Sequence, residues 1–199
     1  MEVSLESIRN LREKTQAGIM DCKTALASTN GDFEKAIDYL RQKGLASVTK
    51  KTGRIAGEGF IESYIHPGGR IGVLVEVNCE TDFVANTQEF KTFVKNIAMQ
   101  IAASNPLYIR KEDVSKEVLE KEKEIYLAQI KGTGKPEKVM EKIAEGKLEK
   151  FYNEVCLLEQ SFIREPDTTV KQLLNSLIAK IGENIIIRRF ARYQLGEEI

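Results

Sequence analysis

The chain has 199 residues, enough for one or two domains with a sizeable core. Hydrophobic residues make up 42%, which argues against disorder. Lys plus Arg and Asp plus Glu are each 30, so the formal charge is zero; this weakens nucleic acid as the main partner, since phosphate neutralisation normally asks for a basic excess, while a local basic patch stays open.

Residues 4–44 read as three short helices. The first carries Leu5, Ile8 and Leu11. Gly18 permits a sharp turn into the second, which carries Met20, Cys22, Ala25 and Leu26 and stops at Asn30-Gly31. Asp32 caps the third, whose Phe33, Ala36, Ile37 and Leu40 fall on one face, with Gly44 as its expected stop. Three helices in so few residues make a small core and resemble the ubiquitin-associated (UBA) type of bundle, which implies protein binding; a packing appendage is the alternative. Residues 46–54 read as a basic, pliable linker with Lys50, Lys51, Gly53 and Arg54, where a phosphate contact is conceivable but solvated charge is the ordinary outcome.

From Glu58 to His66, Ile61, Ser63 and Ile65 alternate with Phe60, Glu62 and Tyr64, the period of a strand. Pro67-Gly68-Gly69 is turn chemistry, and Ile71, Val73, Val75, Val77 and Cys79 give the next strand one apolar face. A helix follows with Phe90, Phe93, Val94, Ile97, Ala98 and Ile101 on one side, ending at Asn105-Pro106. Between strand and helix lies Glu80-Thr81-Asp82-Phe83-Val84-Ala85-Asn86. The structural option is that Asp82 or Asn86 is an N-cap, Asn86 and Glu89 make a capping box, and Phe83 is a staple packed on the helix. The functional option is that Asp82 and Phe83 project from a rigid edge toward a partner.

The most charged region comes next. Ser115 can cap a helix with Val118, Leu119, Ile125, Tyr126 and Ile130; after Gly132-Thr133-Gly134-Lys135, Pro136 starts another with Val139, Met140, Ile143, Ala144, Leu148, Phe151, Tyr152 and Val155. The pair reads as an antiparallel hairpin, either projecting as an arm or lying flat on the core. Gly132 to Lys135 mimics a phosphate loop, but Pro136 stands where Ser or Thr is needed and a helix precedes it, so nucleotide binding is rejected. After an irregular piece, Val170, Leu173, Leu174, Leu177, Ile178 and Ile181 form an amphipathic helix stopped by Gly182. Residues 185–195 then supply a third strand, with Arg188, Arg189 and Arg192 coating its solvent face or forming an RNA patch.

Several chemistries find no foothold. Cys22, Cys79 and Cys156 are widely spaced with no C-x-x-C, and a single histidine, His66, makes a zinc site unexpected. His66 lies at a turn and is taken as a surface residue; no base, nucleophile or metal set points to an enzyme, and no cofactor is implied. The N-terminus has no signal-peptide pattern, and no apolar stretch nears the roughly 20 residues of a membrane span. A cytoplasmic protein of a reducing compartment, with no membrane contact, is expected.

The run Glu76-Val77-Asn78-Cys79-Glu80-Thr81-Asp82-Phe83-Val84-Ala85 resembles the signature of the translation elongation factor Ts family. Leu11-Arg12-Glu13-Lys14-Thr15 and Gly18-Ile19-Met20-Asp21-Cys22-Lys23-Thr24-Ala25-Leu26 resemble the same family and occur in its order. The resemblance implies a guanine nucleotide exchange factor that binds the GDP form of elongation factor Tu and promotes nucleotide release. Thr81, Asp82, Phe83 and Val84 would disturb the partner's magnesium site, and Leu11, Arg12, Thr15, Gly18, Met20, Asp21 and Cys22 would serve partner binding by the N-terminal module. The chain itself would bind no nucleotide directly. Longer members carry a second half of the core; shorter ones can dimerise, so a homodimer is expected. The resulting α+β layout is a UBA-like module at 1–45, a linker at 46–54, a core with a three-stranded antiparallel sheet at 55–110 and 157–199, and a coiled-coil arm at 111–156. An RNA- or ribosome-binding accessory protein is the alternative; an adaptor built on the module and the arm is a third option.

Overall fold

The structure, a computed structural model, describes residues 3–15, 17–131 and 136–197. It is α+β, with eight α-helices and five strands among the described residues. These group into two compact units, Met1–Gly59 with Asn78–Asn86 and Leu174–Ile186, and Phe60–Val77 with Thr87–Leu173 and Ile187–Ile199.

The first unit opens with α1 (Leu5–Thr15), α2 (Ile19–Ser28) and α3 (Phe33–Lys51). Ile8, Leu11, Cys22, Ala25, Leu26 and Ala36 form their shared core, but Leu5 and Met20, expected on the same apolar faces, are 86% and 69% exposed. Asn30 (φ 53°) and Gly31 (φ 84°) take the left-handed conformation that ends α2, and the Gly31 N–H donates to the Leu26 carbonyl at 2.8 Å. Asp32 caps α3, its carboxylate accepting from the Lys35 N–H at 3.1 Å.

Gly44 does not stop α3. The helix continues through much of the expected linker to Lys51, and Gly53 (φ 95°) follows its end. A mid-helix glycine costs only about 1 kcal/mol against alanine, so packing can override it. Here the Cβ that glycine lacks would stand 3.6 Å from Ala179 Cβ of α8 (Val170–Ile181), and Lys51 Nζ reaches the Ile178 carbonyl at 3.4 Å.

β1 (Glu58–Ile65) and β2 (Ile71–Cys79), which lie mostly in the second unit, form the expected hairpin. The His66 N–H donates to the Ile71 carbonyl at 2.9 Å, across a turn in which Gly68 and Gly69 both have positive φ. The third strand, β5 (Ile186–Gln194), adds to β2, giving an antiparallel sheet of order β1-β2-β5. Val73, Val75 and Val77 are buried, as is every one of the six apolar positions anticipated on α5 (Gln88–Ser104). Asn105 (φ 44°) ends that helix.

Helices α6 (Lys116–Lys131) and α7 (Glu137–Val155) pack on each other, with Ile130 and Ala144 buried. Lys111 Nζ binds a Glu149 oxygen at 2.7 Å. The phosphate-loop mimic at Gly132 to Lys135 lies outside the described residues. The segment expected to be irregular holds a small antiparallel pair, β3 (Ser161–Phe162) and β4 (Glu165–Thr169). No periodicity announces it, because a buried amide fixes it. Gln100 Nε2 donates to Gln160 Oε1 (3.2 Å) and the Ser161 carbonyl (3.1 Å), and Gln100 Oε1 accepts from the Ile163 N–H (2.9 Å).

Candidate partner-binding site

At the end of β2 the chain turns into α4 (Asp82–Ala85), a helix of four residues. Both capping expectations need correcting. Thr81, extended at φ −128° and ψ 153°, is the N-cap of α4, and its Oγ1 accepts from the Val84 N–H at 3.4 Å. Thr87 caps α5 by accepting from the Phe90 N–H at 3.2 Å. Asp82 is already the first helical residue, and Asn86 is the helical C-cap of α4, where its side chain donates to the Asp82 carbonyl at 3.0 Å. Neither Asp82 nor Asn86 therefore has the extended backbone an N-cap requires. Nor is Phe83 a staple, because it is 82% exposed. Asp82 is exposed beside it, Val84 is half-buried, and Ala85 is the buried residue of the turn.

Four residues cannot hold a helical turn by themselves, because nucleation is unfavourable and the apolar burial here is small. The holding force is polar. Glu183 Oε2 accepts from the N–H groups of Glu80 (3.1 Å) and Thr81 (3.0 Å), and Glu183 Oε1 accepts from the Thr81 hydroxyl (2.6 Å). In return Glu80 Oε1 accepts from the Asn184 N–H at 2.6 Å. Asn184, only 4% exposed, donates its amide to the Arg54 carbonyl at 2.8 Å, and the Arg54 guanidinium stands 3.6 Å from Glu80. Hydrogen bonds to a charged group contribute about 1.5–3 kcal/mol each, so this set outweighs the little apolar surface α4 buries. Beneath it, Cys79 donates its thiol to the Thr81 carbonyl at 3.1 Å. Burial first, and the Glu183 carboxylate second, push that thiol up to about 11.

Sequence reasoning did not find Glu183 or Asn184, and it read Arg54 only as a linker charge. They meet the junction from distant parts of the chain, and no periodic signal links them; beside Glu183 and Asn184, only Gly182 drew a reading, as a helix stop.

The N-terminal candidates separate by exposure. Leu11 and Cys22 are fully buried in the core of the module, so packing is what their side chains do there. Thr15 is half-buried and donates its hydroxyl to the Leu11 carbonyl at 2.7 Å. Asp21 is paired with Lys43 at 2.7 Å, and Gly18 lies against Asp21, whose Oδ2 would be 3.3 Å from a Cβ at that glycine. Arg12 and Met20 are exposed. Ile19, which the apolar pattern did not single out, is 54% exposed beside Met20 at 69%.

The late arginines do not form one solvent-facing row. Arg188 and Arg189 both approach Glu76, at 3.7 and 2.6 Å. Arg192 has a buried side chain that donates to Gln194 at 2.7 Å. His66 is exposed, with its Nδ1 3.1 Å from the Tyr64 hydroxyl. Among the described residues no group of three or more His, Cys, Asp or Glu could hold a metal ion, and no helix is long and apolar enough to cross a membrane.

Comparison with known proteins bears on the chain as a whole. The sequence model of the family described as Elongation factor TS matches residues 13–197. The protein named Elongation factor Ts from Caldanaerobacter subterraneus subsp. tengcongensis is 66% identical over 197 residues, covering 99% of this chain and 98% of that one. The Elongation factor Ts of Thermoanaerobacter sp. is 64% identical over 197 residues, 99% of this chain and 97% of its own. That of Carboxydothermus hydrogenoformans is 65% identical over 195 residues, 98% of this chain and 90% of its own. With a family match over most of its length and relatives this similar end to end, the chain belongs to the elongation factor Ts family of translation elongation factors.

Proposed function

We propose that this chain is a nucleotide exchange factor: it binds elongation factor Tu carrying GDP and speeds release of the nucleotide by disturbing the partner's magnesium site. The observation that carries this reading is Phe83, a phenyl ring 82% exposed at the tip of a turn whose backbone is tied down by hydrogen bonds. An exposed ring on a fixed frame enters an apolar gap in a partner with little ordering cost. Asp82 stands beside it and reorganises polar groups around the metal, while Thr81 and Val84 shape the turn that presents both. Exchange then follows from linkage. Factor and nucleotide weaken one another reciprocally, and each tenfold weakening takes about 1.4 kcal/mol of differential interaction. Removing magnesium from the phosphates takes away a large electrostatic attraction. No covalent chemistry by this chain is required, nor any nucleotide site of its own.

Arg12, Ile19 and Met20 supply a second contact from the N-terminal module, with Gly18, Asp21 and Thr15 fixing the α1–α2 corner. The family reading supports a cytoplasmic protein that works as a homodimer. The dimer draws support from the outer face of the sheet, where Ile61, Ile65, Leu74 and Tyr193 are each more than half exposed.

The test is release of a fluorescent GDP from elongation factor Tu with and without this chain. Wild-type protein accelerates release, and Phe83→Ala slows the stimulated rate at least about tenfold with the fold intact. Normal stimulation by Phe83→Ala removes the ring from the mechanism.

A further inference from the structure

We propose that Glu183 is a positioning residue for nucleotide release, acting through the Thr81–Val84 turn that it holds and touching neither nucleotide nor metal. The proposal rests on the reading of Phe83 and Asp82 as the working tip.

One carboxylate takes three donors, the N–H groups of Glu80 and Thr81 and the Thr81 hydroxyl, at 3.1, 3.0 and 2.6 Å. The Thr81 oxygen accepts in turn from the Val84 N–H. Glu183 therefore acts on both the strand end that leads into the turn and the cap that begins it. Its own place is set by Gly182, whose φ of 91° lets the chain reverse after α8, and by the buried Asn184 bonded to Glu80. The two segments exchange carboxylates: Glu183 serves residues 80–81, and Glu80 serves residue 184. Thr81 Oγ1 acts as donor and acceptor at once, so loss of Glu183 frees it to rotate and weakens the cap as well.

The consequence is kinetic. A turn of four residues with its frame removed populates the tip geometry only part of the time. Activity that needs this geometry falls by the same fraction. Other contacts that bring factor and GTPase together are untouched, so the maximal release rate drops while the half-saturating concentration holds.

The experiment measures release of fluorescent GDP from elongation factor Tu over a range of factor concentrations, using full-length wild type, Glu183→Ala, Glu183→Gln, Phe83→Ala and the Glu183→Ala/Phe83→Ala double variant. Glu183→Ala should lower the maximal rate about tenfold and move half-saturation by less than about threefold, a split that a merely structural role would not give. Glu183→Gln keeps an oxygen for the two N–H groups and should recover most of the rate. In the Phe83→Ala background, Glu183→Ala should add less than about a twofold loss, because both act through one tip. Amide hydrogen exchange on the free protein supplies a readout independent of the partner: Glu80, Thr81 and Val84 exchange faster in Glu183→Ala, while α1–α3 do not. If Glu183→Ala fails to fold, Glu183→Asp, one methylene too short to reach all three donors, replaces it.

Full activity of Glu183→Ala beside a slow Phe83→Ala overturns this proposal alone. Normal activity of Phe83→Ala overturns the reading beneath it and the proposal together. Losses that multiply in the double variant also overturn it, since Glu183 would then act elsewhere.

Discussion

α4 and α5 follow one another in the chain, yet they are stabilised by opposite means. α5 has 17 residues and buries Phe90, Phe93, Val94, Ile97, Ala98 and Ile101, so removing apolar surface from water secures it. α4 has four residues, buries Ala85 and turns its largest apolar group outward. Each begins at a threonine cap; Thr87 starts a helix that burial sustains, and Thr81 starts a turn that its hydroxyl ties to Glu183. Burial decides whether a segment exists. Directed hydrogen bonds decide where a segment with little to bury will point. A ring can be left exposed without cost to the fold when nothing in the fold depends on its burial.

The contrast breaks first under truncation of the two phenylalanines. Phe90→Ala should cost about 3–5 kcal/mol in urea denaturation, the usual loss for a fully buried phenylalanine. Phe83→Ala should change stability by less than about 0.5 kcal/mol, as a surface substitution does. Its effect falls on exchange, where the expected tenfold loss corresponds to about 1.4 kcal/mol of interaction with the partner. If Phe83→Ala destabilised the chain as much as Phe90→Ala, the ring would be core and the contrast would vanish.

Much of the burial-driven half was legible in the sequence. The alternation at Val73, Val75 and Val77 and the spacing on α5 both reappear as buried faces, because periodicity records which side meets the core. The polar half was legible only where partners are near neighbours, as with Asp32 and Lys35. Glu183 and Glu80 are written far apart, and a carboxylate that will accept three hydrogen bonds looks no different in sequence from one left in water. Gly44 misled for a related reason: its helix-breaking tendency is local, while the packing that surrounds α3, with Ala179 of α8 near and Lys51 bonded to the Ile178 carbonyl, is not. At the junction, the residue types named the right chemistry, an oxygen cap, but placed it one residue late at Asp82 and one early at Asn86. Which residue is extended depends on where β2 ends, and composition does not mark that point.

A smaller effect sharpens the comparison of the two caps. Thr87→Ala should cost about 1 kcal/mol of stability, the ordinary value of an N-cap, with little change in exchange. Thr81→Ala should show the reverse weighting, a modest change in denaturation and a clear loss in maximal release rate. Equal effects of the two substitutions on exchange would show that the Thr81 cap has no special link to the tip.

The smallest effect expected is a pH dependence beneath α4. The Cys79 thiol is pushed up to about 11, from an ordinary value of 9.0, by burial and then by the Glu183 carboxylate. A raised value means the fold prefers the protonated thiol. The stability it contributes is complete below pH 9.0 and is lost as pH climbs through about 11. Cys156, also pushed up to about 11 and mainly by burial, adds a loss over the same window. Cys79→Ala removes only its own share, so the variant should lose less stability than wild type between about pH 8 and about pH 10.5, measured as the shift of the urea midpoint. Amide exchange at Glu80 and Thr81 should quicken over that interval in wild type more than in the variant, because a thiolate would stand close to the Glu183 carboxylate that ties both amides. Identical alkaline losses in the two proteins would mean that folding leaves the Cys79 thiol at its ordinary value, and that neither its burial nor the Glu183 carboxylate acts on it.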